Sequence, residues 1–245
     1  MHLTFLGTGS AMPTGDRVQT GLLLEADERT LLVDCGSGVL HRLAQTDPGY
    51  EAVDHVLLTH HHTDHTSDLL PLLKARWLAG EEELTVAGPP GTSEFVDGLL
   101  DANDYLRDRV DRTVEDYDTG SFSFAGFDIE AVETVHSMRC HAYRFDDALT
   151  FSGDTEAHEP VAELADGSDV LVHDCSFPDE IDVSNHPTPS QLGRLLADTD
   201  VEVDDVYLTH LYPHTNGKHQ EMLDSIGEHY DGNVQVARDG MQIEF

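Results

Sequence analysis

Positive charge is what this chain most conspicuously lacks. Thirteen Lys plus Arg stand against 48 Asp plus Glu, a formal net charge of -35, and Lys74 and Lys218 are the only lysines. Polyanions are normally held by Lys and Arg contacts that release counterions, so the balance argues against a surface built to grip long nucleic acids. Self-repulsion of this size strains a compact fold in dilute buffer and is relieved where ionic strength shortens the screening length. A salt-rich cytosol is the expected setting. Intrinsic disorder is the competing reading of so acidic a chain, and regular apolar segments along the whole length oppose it.

Cysteine is scarce too. Cys35, Cys140 and Cys175 form neither an even framework nor a Cys-x-x-Cys pair, which fits a reducing compartment and small core residues. No apolar run approaches the roughly 18 residues of a membrane span. The N-terminus lacks the basic-then-apolar layout of a signal peptide, so a cytoplasmic protein is expected. The sole tryptophan, Trp77, lies on a helical apolar stripe and reads as core rather than as a substrate platform. Neither a fixed-period repeat nor a linker divides the sequence, and the expectation is a single domain over residues 1–245.

Histidine, in contrast, is concentrated. In Leu57-Leu58-Thr59-His60-His61-His62-Thr63-Asp64-His65-Thr66 an apolar strand ends in four histidines and an aspartate. In extended backbone, residues two apart point the same way, so His60 and His62 can converge on one ion while Asp64 and His65 face a second. His61 should point away. Such borderline ligands suit a first-row metal, zinc above others. The bland alternative, a solvated histidine-rich loop, loses ground because other strands end in the same residue types. Ile129 to Val135 runs into His136, Leu149 to Ser152 into Gly153-Asp154, and Val206 to Thr209 into His210. A shared site at one edge of packed sheets accounts for all four.

Pattern supplies the remaining elements. Strands are expected at residues 2–6, 21–26, 30–34, 55–59 and 84–87, within 122–135 and 142–152, and twice within 232–245. Helices are expected over 39–45 and 68–78, with Pro71 in the first turn, and as one or two pieces over 92–109. Two more are expected over 188–197, capped by Thr188, and over 217–229. Arg107, Arg109 and Arg112, interleaved with Asp104, Asp108 and Asp111, read as a helix surface laced with ion pairs. Gly7-Thr8-Gly9-Ser10 reads as a turn; without the Gly-x-Gly-x-x-Gly form it is weak evidence for a phosphate cradle. Asp34 is either a turn residue or an acceptor for ligand imidazoles. The architecture that fits is an α/β sandwich of αββα type, two packed mixed sheets with helices on the outer faces.

His60-x-His62-x-Asp64-His65 resembles the signature of the metallo-β-lactamase fold, and the flanking motifs resemble its ribonuclease Z-like branch. Those motifs are Phe5-Leu6-Gly7-Thr8-Gly9-Ser10, Asp34-Cys35-Gly36, Ala87-Gly88-Pro89-Pro90-Gly91, His136-Ser137, Ser152-Gly153-Asp154-Thr155 and Leu208-Thr209-His210. They occur in that branch's order across nearly the whole chain. The resemblance implies that His60, His62 and His136 hold one metal, that Asp64, His65 and His210 hold a second, and that Asp154 bridges them. It implies two Zn2+, with Mn2+ or another divalent ion as the alternative. Two ions about 3.5 to 4 Å apart can hold a hydroxide between them, the attacking nucleophile. Asp64 would orient or deprotonate the water, and His186, before Pro187-Thr188, would protonate the leaving group. Asp174 would orient His186 from a position where the family often has glutamate.

The resulting expectation is a metal-dependent hydrolase of phosphodiesters, with RNA or a small phosphodiester as substrate. Hydrolysis of a carboxylic ester, thioester, lactone or sulfate ester at the same site is the alternative. A metal-dependent RNA-binding or scaffold protein without turnover is a third reading. Three departures from the branch speak against tRNA 3′-end processing. The Thr14-Gly15-Asp16-Arg17 loop lacks the expected basic residues, no basic Gly/Pro-rich arm lies between Pro90 and His136, and Leu211-Tyr212-Pro213-His214 follows His210 where an arginine is usual. No membrane partner is expected, a homodimer is compatible with the sequence, and His214 is the remaining histidine best placed to approach substrate.

Overall fold

The computed structural model describes residues 1–81, 83–181 and 183–245. Strands β1 (His2–Gly7), β2 (Gly21–Ala26) and β3 (Arg29–Val33) form an antiparallel meander in which Leu22 faces Val33 and Leu24 faces Leu31. Helix α1 (Val39–Leu43) leads to β4 (His55–Leu57), which pairs parallel with β3. After α2 (Thr63–Thr66) and α3 (Leu69–Ala79), β5 (Glu83–Gly88) adds in parallel, and after α4 (Thr92–Asp101) so does β6 (Asp111–Asp116).

The second sheet repeats this plan. Strands β7 (Gly120–Phe124), β8 (Phe127–Glu133), β9 (His141–Phe145) and β10 (Leu149–Phe151) form the meander. Helix α5 (Glu159–Ala165) then leads to the parallel strand β11 (Val170–Asp174). Helix α6 (Pro189–Asp198) leads to β12 (Asp205–Thr209), and α7 (His219–Gly227) to β13 (Asn233–Val236), both parallel as well. Strand β14 (Gln242–Glu244) returns to pair with β1, so the two seven-stranded sheets run β14-β1-β2-β3-β4-β5-β6 and β13-β12-β11-β10-β9-β8-β7.

Burial follows from this layering. The inner faces meet in one apolar cluster that joins Leu3, Phe5, Leu22, Leu24 and Val33 to Phe127, Tyr143, Phe145, Phe151 and Tyr207. Intervening residues of the same strands, such as Leu23, Leu32 and Val56, pack under α1, α3 and α4. Strands covered on both faces therefore read as continuous apolar runs. In β8 only one face is fully covered, so buried Phe127, Ile129 and Ala131 alternate with exposed Asp128 and Glu130. Each fully buried leucine contributes about 1.5 to 3 kcal/mol. The outer face of the second sheet is closed by α5, α6 and α7 over β11 and β12. Among the described residues, no helix is long and apolar enough to cross a membrane.

The structure departs from the sequence expectation around the arginine cluster. Asp111–Asp116 is an edge strand, not the end of a helix, because β5 offers it a full ladder while solvent accommodates its charges. The ion pairs persist with other partners: Arg107 and Arg112 both reach Asp97 of α4, at 3.2 and 3.0 Å, and Arg109 lies 5.4 Å over the Trp77 ring. Thr188 caps α6 as expected, its side chain and that of Gln191 forming a reciprocal capping box.

Parallel pairing decides where functional residues gather. Strands β3, β4, β10, β11 and β12 all run toward one edge of the sandwich, and β8 runs the same way because two antiparallel steps separate it from β10. Asp34, Thr59 to His65, His136, Asp154, Asp174 and His210 follow the ends of these strands and so collect along that edge.

Candidate metal centre

Two groups of side chains face each other there. His60, His62, His136 and Asp154 form one, and Asp64, His65 and His210 the other, while Asp154, His186 and His210 make a third set that overlaps both; ligand atoms within each set lie within 4.8 Å of one another. His62 Nδ1 lies 3.0 Å from both His60 Nε2 and His136 Nε2. Asp154 stands between the groups: Oδ2 is 3.7 Å from His60 Nε2, 3.8 Å from His136 Nε2 and 3.3 Å from His210 Nε2, while Oδ1 is 3.3 Å from His65 Nε2. Asp64 Oδ2 is 3.2 Å from His210 Nε2 and 3.8 Å from His65 Nε2. All seven residues expected from the sequence to act as ligands are therefore brought together. His61 turns aside, with Nε2 2.8 Å from Thr92 Oγ1 and its ring stacked on Phe95.

Local backbone makes this convergence possible. Asp34 and His210 both adopt positive φ, 60° and 58°, a conformation that costs a non-glycine residue about 1 to 3 kcal/mol and is stored at functional sites. Gly36 admits the ligand loop, since a Cβ there would lie 2.0 Å from the Asp64 carbonyl oxygen. Gly153, at φ 56°, sets the turn that delivers Asp154.

A set of buried hydrogen bonds aims the imidazoles. His65 Nδ1–H donates to Asp34 Oδ2 at 2.7 Å. Thr59 Oγ1 donates to the same Asp34 oxygen at 2.8 Å, so it accepts from His60 Nδ1 at 3.0 Å. Both rings are left with an unprotonated Nε2 toward the centre, the form a metal requires. The second half has its own version. Ser176 Oγ donates to Asp174 Oδ1 at 2.6 Å and accepts from His210 Nδ1 at 2.9 Å, freeing His210 Nε2.

The residues fit a pair of divalent cations. His65 Nε2 and Asp154 Oδ1 are buried with no aligned hydrogen bond, and three imidazole nitrogens crowd at contact distance in the other group. Buried lone pairs turned on one another are repulsive unless a cation sits among them. Electrostatics carries the same message. Burial pushes the His60, His62 and His136 pKa values down, keeping the rings neutral. Burial opposes ionisation of Asp154, yet His210, His65 and His60 together hold its carboxyl well below the usual range. For His65, burial lowers the pKa but is outweighed by Asp154 and Asp34, which raise it.

Above the centre lies an open cavity of about 440 Å³ whose walls include His62, Asp64, His136, Asp154, His186 and Tyr212. His186 Nδ1 is 2.7 Å from Asp174 Oδ2, the pairing expected from the sequence, and its Nε2 makes no protein hydrogen bond among the described residues. Burial alone would lower the His186 pKa, but the charge and hydrogen bond of Asp174, with Asp154 and Asp64 beyond, push it up to about 9. Gly9 bridges to Leu211 and Ala11 lines the cavity, which puts the opening loop beside the centre.

Sequence reasoning missed Thr59 and Ser176. Each is a small hydroxyl residue just past a strand end at this edge: Thr59 directly precedes His60, and Ser176 lies two residues after Asp174. That placement was the available signal. It also missed Phe177, whose ring stacks on Tyr212 at 4.4 Å.

Comparison with known proteins agrees with this geometry. The Beta-lactamase superfamily domain family matches residues 29–211. Ribonuclease Z of Mycobacterium bovis is 34% identical over 194 residues, covering 71% of this chain and 69% of that protein. Ribonuclease Z of Haloferax volcanii is 25% identical over 304 aligned positions, covering 100% of this chain and 95% of the relative, which therefore carries segments this shorter chain lacks. The metallo-β-lactamase fold protein YhfI of Bacillus subtilis superposes with a TM-score of 0.83 at 24% identity, covering 100% of this chain and 99% of that one. The chain belongs to the metallo-β-lactamase superfamily, in its ribonuclease Z-like branch, and its site is that of a metal-dependent hydrolase.

Proposed function

We propose that the protein is a cytoplasmic, zinc-dependent phosphodiesterase that acts on RNA or a small phosphodiester and works as a single domain over residues 1–245. The observation that carries this reading is the convergence of five imidazoles and two carboxylates from separate strand ends. The ribonuclease Z relatives supply the substrate class. His60, His62 and His136 would hold one ion, Asp64, His65 and His210 the other, with Asp154 between them. Imidazole with carboxylate is a donor set that suits zinc. When bound, such a pair supplies Lewis acidity toward phosphoryl oxygens and a water that ionises near neutral pH.

The chain's own residues do the rest. Asp64 keeps its second carboxylate oxygen available to orient the attacking water and take its proton. His186, held through Nδ1 by Asp174, presents Nε2 to protonate the departing oxygen. Transfer RNA is disfavoured as substrate, given so few basic residues and the segments that the Haloferax relative has in addition. Turnover of bis(p-nitrophenyl) phosphate and short RNA at high salt, with two equivalents of zinc by elemental analysis, is the expected result. Hydrolysis of p-nitrophenyl acetate or an acyl thioester, with none of any phosphodiester, would overturn it.

A further inference from the structure

Apart from the proposed ions and His186, the cavity over the metal centre offers little positive charge with which to hold a phosphate chain. Among the described residues no Lys or Arg lines it, and its rim offers uncharged donors instead, Ser137, Asn185 and Tyr212 among them. Tyr212 is the largest of these and belongs to an aromatic shelf. Its ring stacks on nearly buried Phe177, with centroids 4.4 Å apart and planes inclined by 25°. It meets His186 and His210 edge-on at 5.9 and 5.7 Å. Exposed His214 extends the shelf, 5.4 Å from Phe177.

The shelf is held in place before any ligand arrives. Tyr212 N–H donates to the Ser176 carbonyl at 3.2 Å, Leu211 N–H to the Thr8 carbonyl at 3.0 Å, and Thr215 N–H to the Tyr212 carbonyl at 3.0 Å. The Tyr212 hydroxyl makes no protein hydrogen bond among the described residues. A rigid ring whose polar end is unspent beside the reaction centre is suited to receiving a planar ligand with a hydrogen-bonding edge.

Charge and salt decide what that ligand is. With a net charge of -35 the chain gains little from counterion release, and salt that relieves its self-repulsion weakens phosphate contacts further. Stacking on an aromatic face needs no cation and is not screened. On the proposed mechanism the leaving oxygen departs past His186, whose ring centroid lies 5.9 Å from that of Tyr212, so a planar group attached to it is within reach of Tyr212.

We propose that Tyr212, backed by Phe177, is a specificity residue: its ring receives the base of the leaving nucleotide, and its hydroxyl gives that nucleotide an uncharged hydrogen bond. This rests on the phosphodiesterase reading and narrows it, from phosphodiesters in general to esters whose leaving group is a base-bearing nucleoside. Phosphodiesters of simple alcohols become poor substrates, and KM for the nucleotide ester depends only weakly on salt.

The test uses the full-length, zinc-loaded protein and two substrates with the same leaving oxygen, a dinucleoside monophosphate and its analogue with an abasic leaving nucleoside. Wild type should favour the base-bearing ester by about tenfold or more in kcat/KM, chiefly through KM, as expected for one stacked base. Tyr212→Leu should collapse that ratio toward one, Tyr212→Trp should restore it, and Tyr212→Phe should lose only the hydroxyl's share. Raising KCl should change KM little, whereas phosphate gripping would raise it steeply. A wild-type ratio near one, or a ratio that survives Tyr212→Leu, overturns the assignment even if bis(p-nitrophenyl) phosphate is hydrolysed. Should Tyr212→Leu fail to fold, equal ratios in wild type and Tyr212→Phe, combined with a steep salt dependence of KM, would overturn it as well. Absence of all phosphodiester hydrolysis overturns the broader reading instead.

Discussion

In the first half of the sandwich a single loop, His60 to His65, supplies four of the seven converging side chains; in the second half three separate strand ends supply one each, His136, Asp154 and His210. The supports behind them are closely analogous. Asp34 with Thr59 aims His65 and His60, and Asp174 with Ser176 aims His210, each pair a fully buried carboxylate with a hydroxyl that relays its charge to an imidazole. They differ in what else the carboxylate does. Both oxygens of Asp34 are committed to the ligand loop, whereas Asp174 spends Oδ2 on His186, which lies outside both ligand groups of the proposed pair. In the proposed scheme one half would orient metal ligands only, and the other would couple a ligand to the proton donor.

That contrast is broken most severely at the residue the halves share. Asp154 has oxygens toward both groups, so Asp154→Ala should empty both positions, while Asp64→Ala should weaken only the second. Elemental analysis after gel filtration separates these outcomes. Turnover should fall in Asp64→Ala on the order of 10³-fold or more, because a ligand and a base are lost together. Full zinc content in Asp154→Ala would remove the shared position from the scheme.

Next in size is the proposed proton donor. His186→Ala should slow hydrolysis of esters with poor leaving groups by about 10²- to 10⁴-fold. A p-nitrophenyl ester, which leaves without help, should suffer much less, and metal content should stay near that of wild type. Equal losses on both substrates would mean that His186 acts on structure rather than on the leaving oxygen.

The two buried carboxylates then test the analogy directly. Asp34→Asn should cost about 10- to 100-fold in metal affinity, the usual effect of removing a partner from a ligand imidazole. Asp174→Asn should lose less metal and show the leaving-group dependence of His186→Ala, because its second oxygen serves the donor. Competition with a zinc chelator, alongside rates on both ester types, gives the comparison. Identical profiles for the two variants would erase the difference between the halves.

How much of this could be read from sequence follows the same division. The loop from His60 to His65 was legible because its candidate ligands are adjacent, His60 and His62 two apart in the chain that follows β4 and Asp64 and His65 on the short helix α2 after them. His136, Asp154 and His210 were legible as strand ends, yet only parallel pairing, a long-range property, puts those ends at one edge. The edge strand β6 was not legible, because Asp-Arg-Thr-Val-Glu-Asp lacks the apolar alternation of a buried strand and owes its conformation to the ladder with β5. Thr59 and Ser176 were invisible for another reason: a hydroxyl beside a ligand looks like any turn residue until the carboxylate it bonds is known.

Those hydroxyls give the smallest and most discriminating effects. Thr59→Val keeps the shape but removes the donor to Asp34 and the better acceptor for His60 Nδ1, leaving that buried N–H only the weak acceptor Cys140 Sγ at 3.6 Å. Loss of a neutral buried partner costs about 1 to 3 kcal/mol, which should appear as weaker metal binding and a lower Tm with little change in leaving-group dependence. Ser176→Ala removes the acceptor for His210 Nδ1 and also one hydrogen bond to Asp174, so it should disturb metal binding and proton donation together. The separation is clearest in the ratio of rates on poor and good leaving groups, which should hold in Thr59→Val and fall in Ser176→Ala. If both variants move that ratio equally, the relay through Ser176 is no more tied to His186 than the one through Thr59. Asp174 would then be a support for His210 alone.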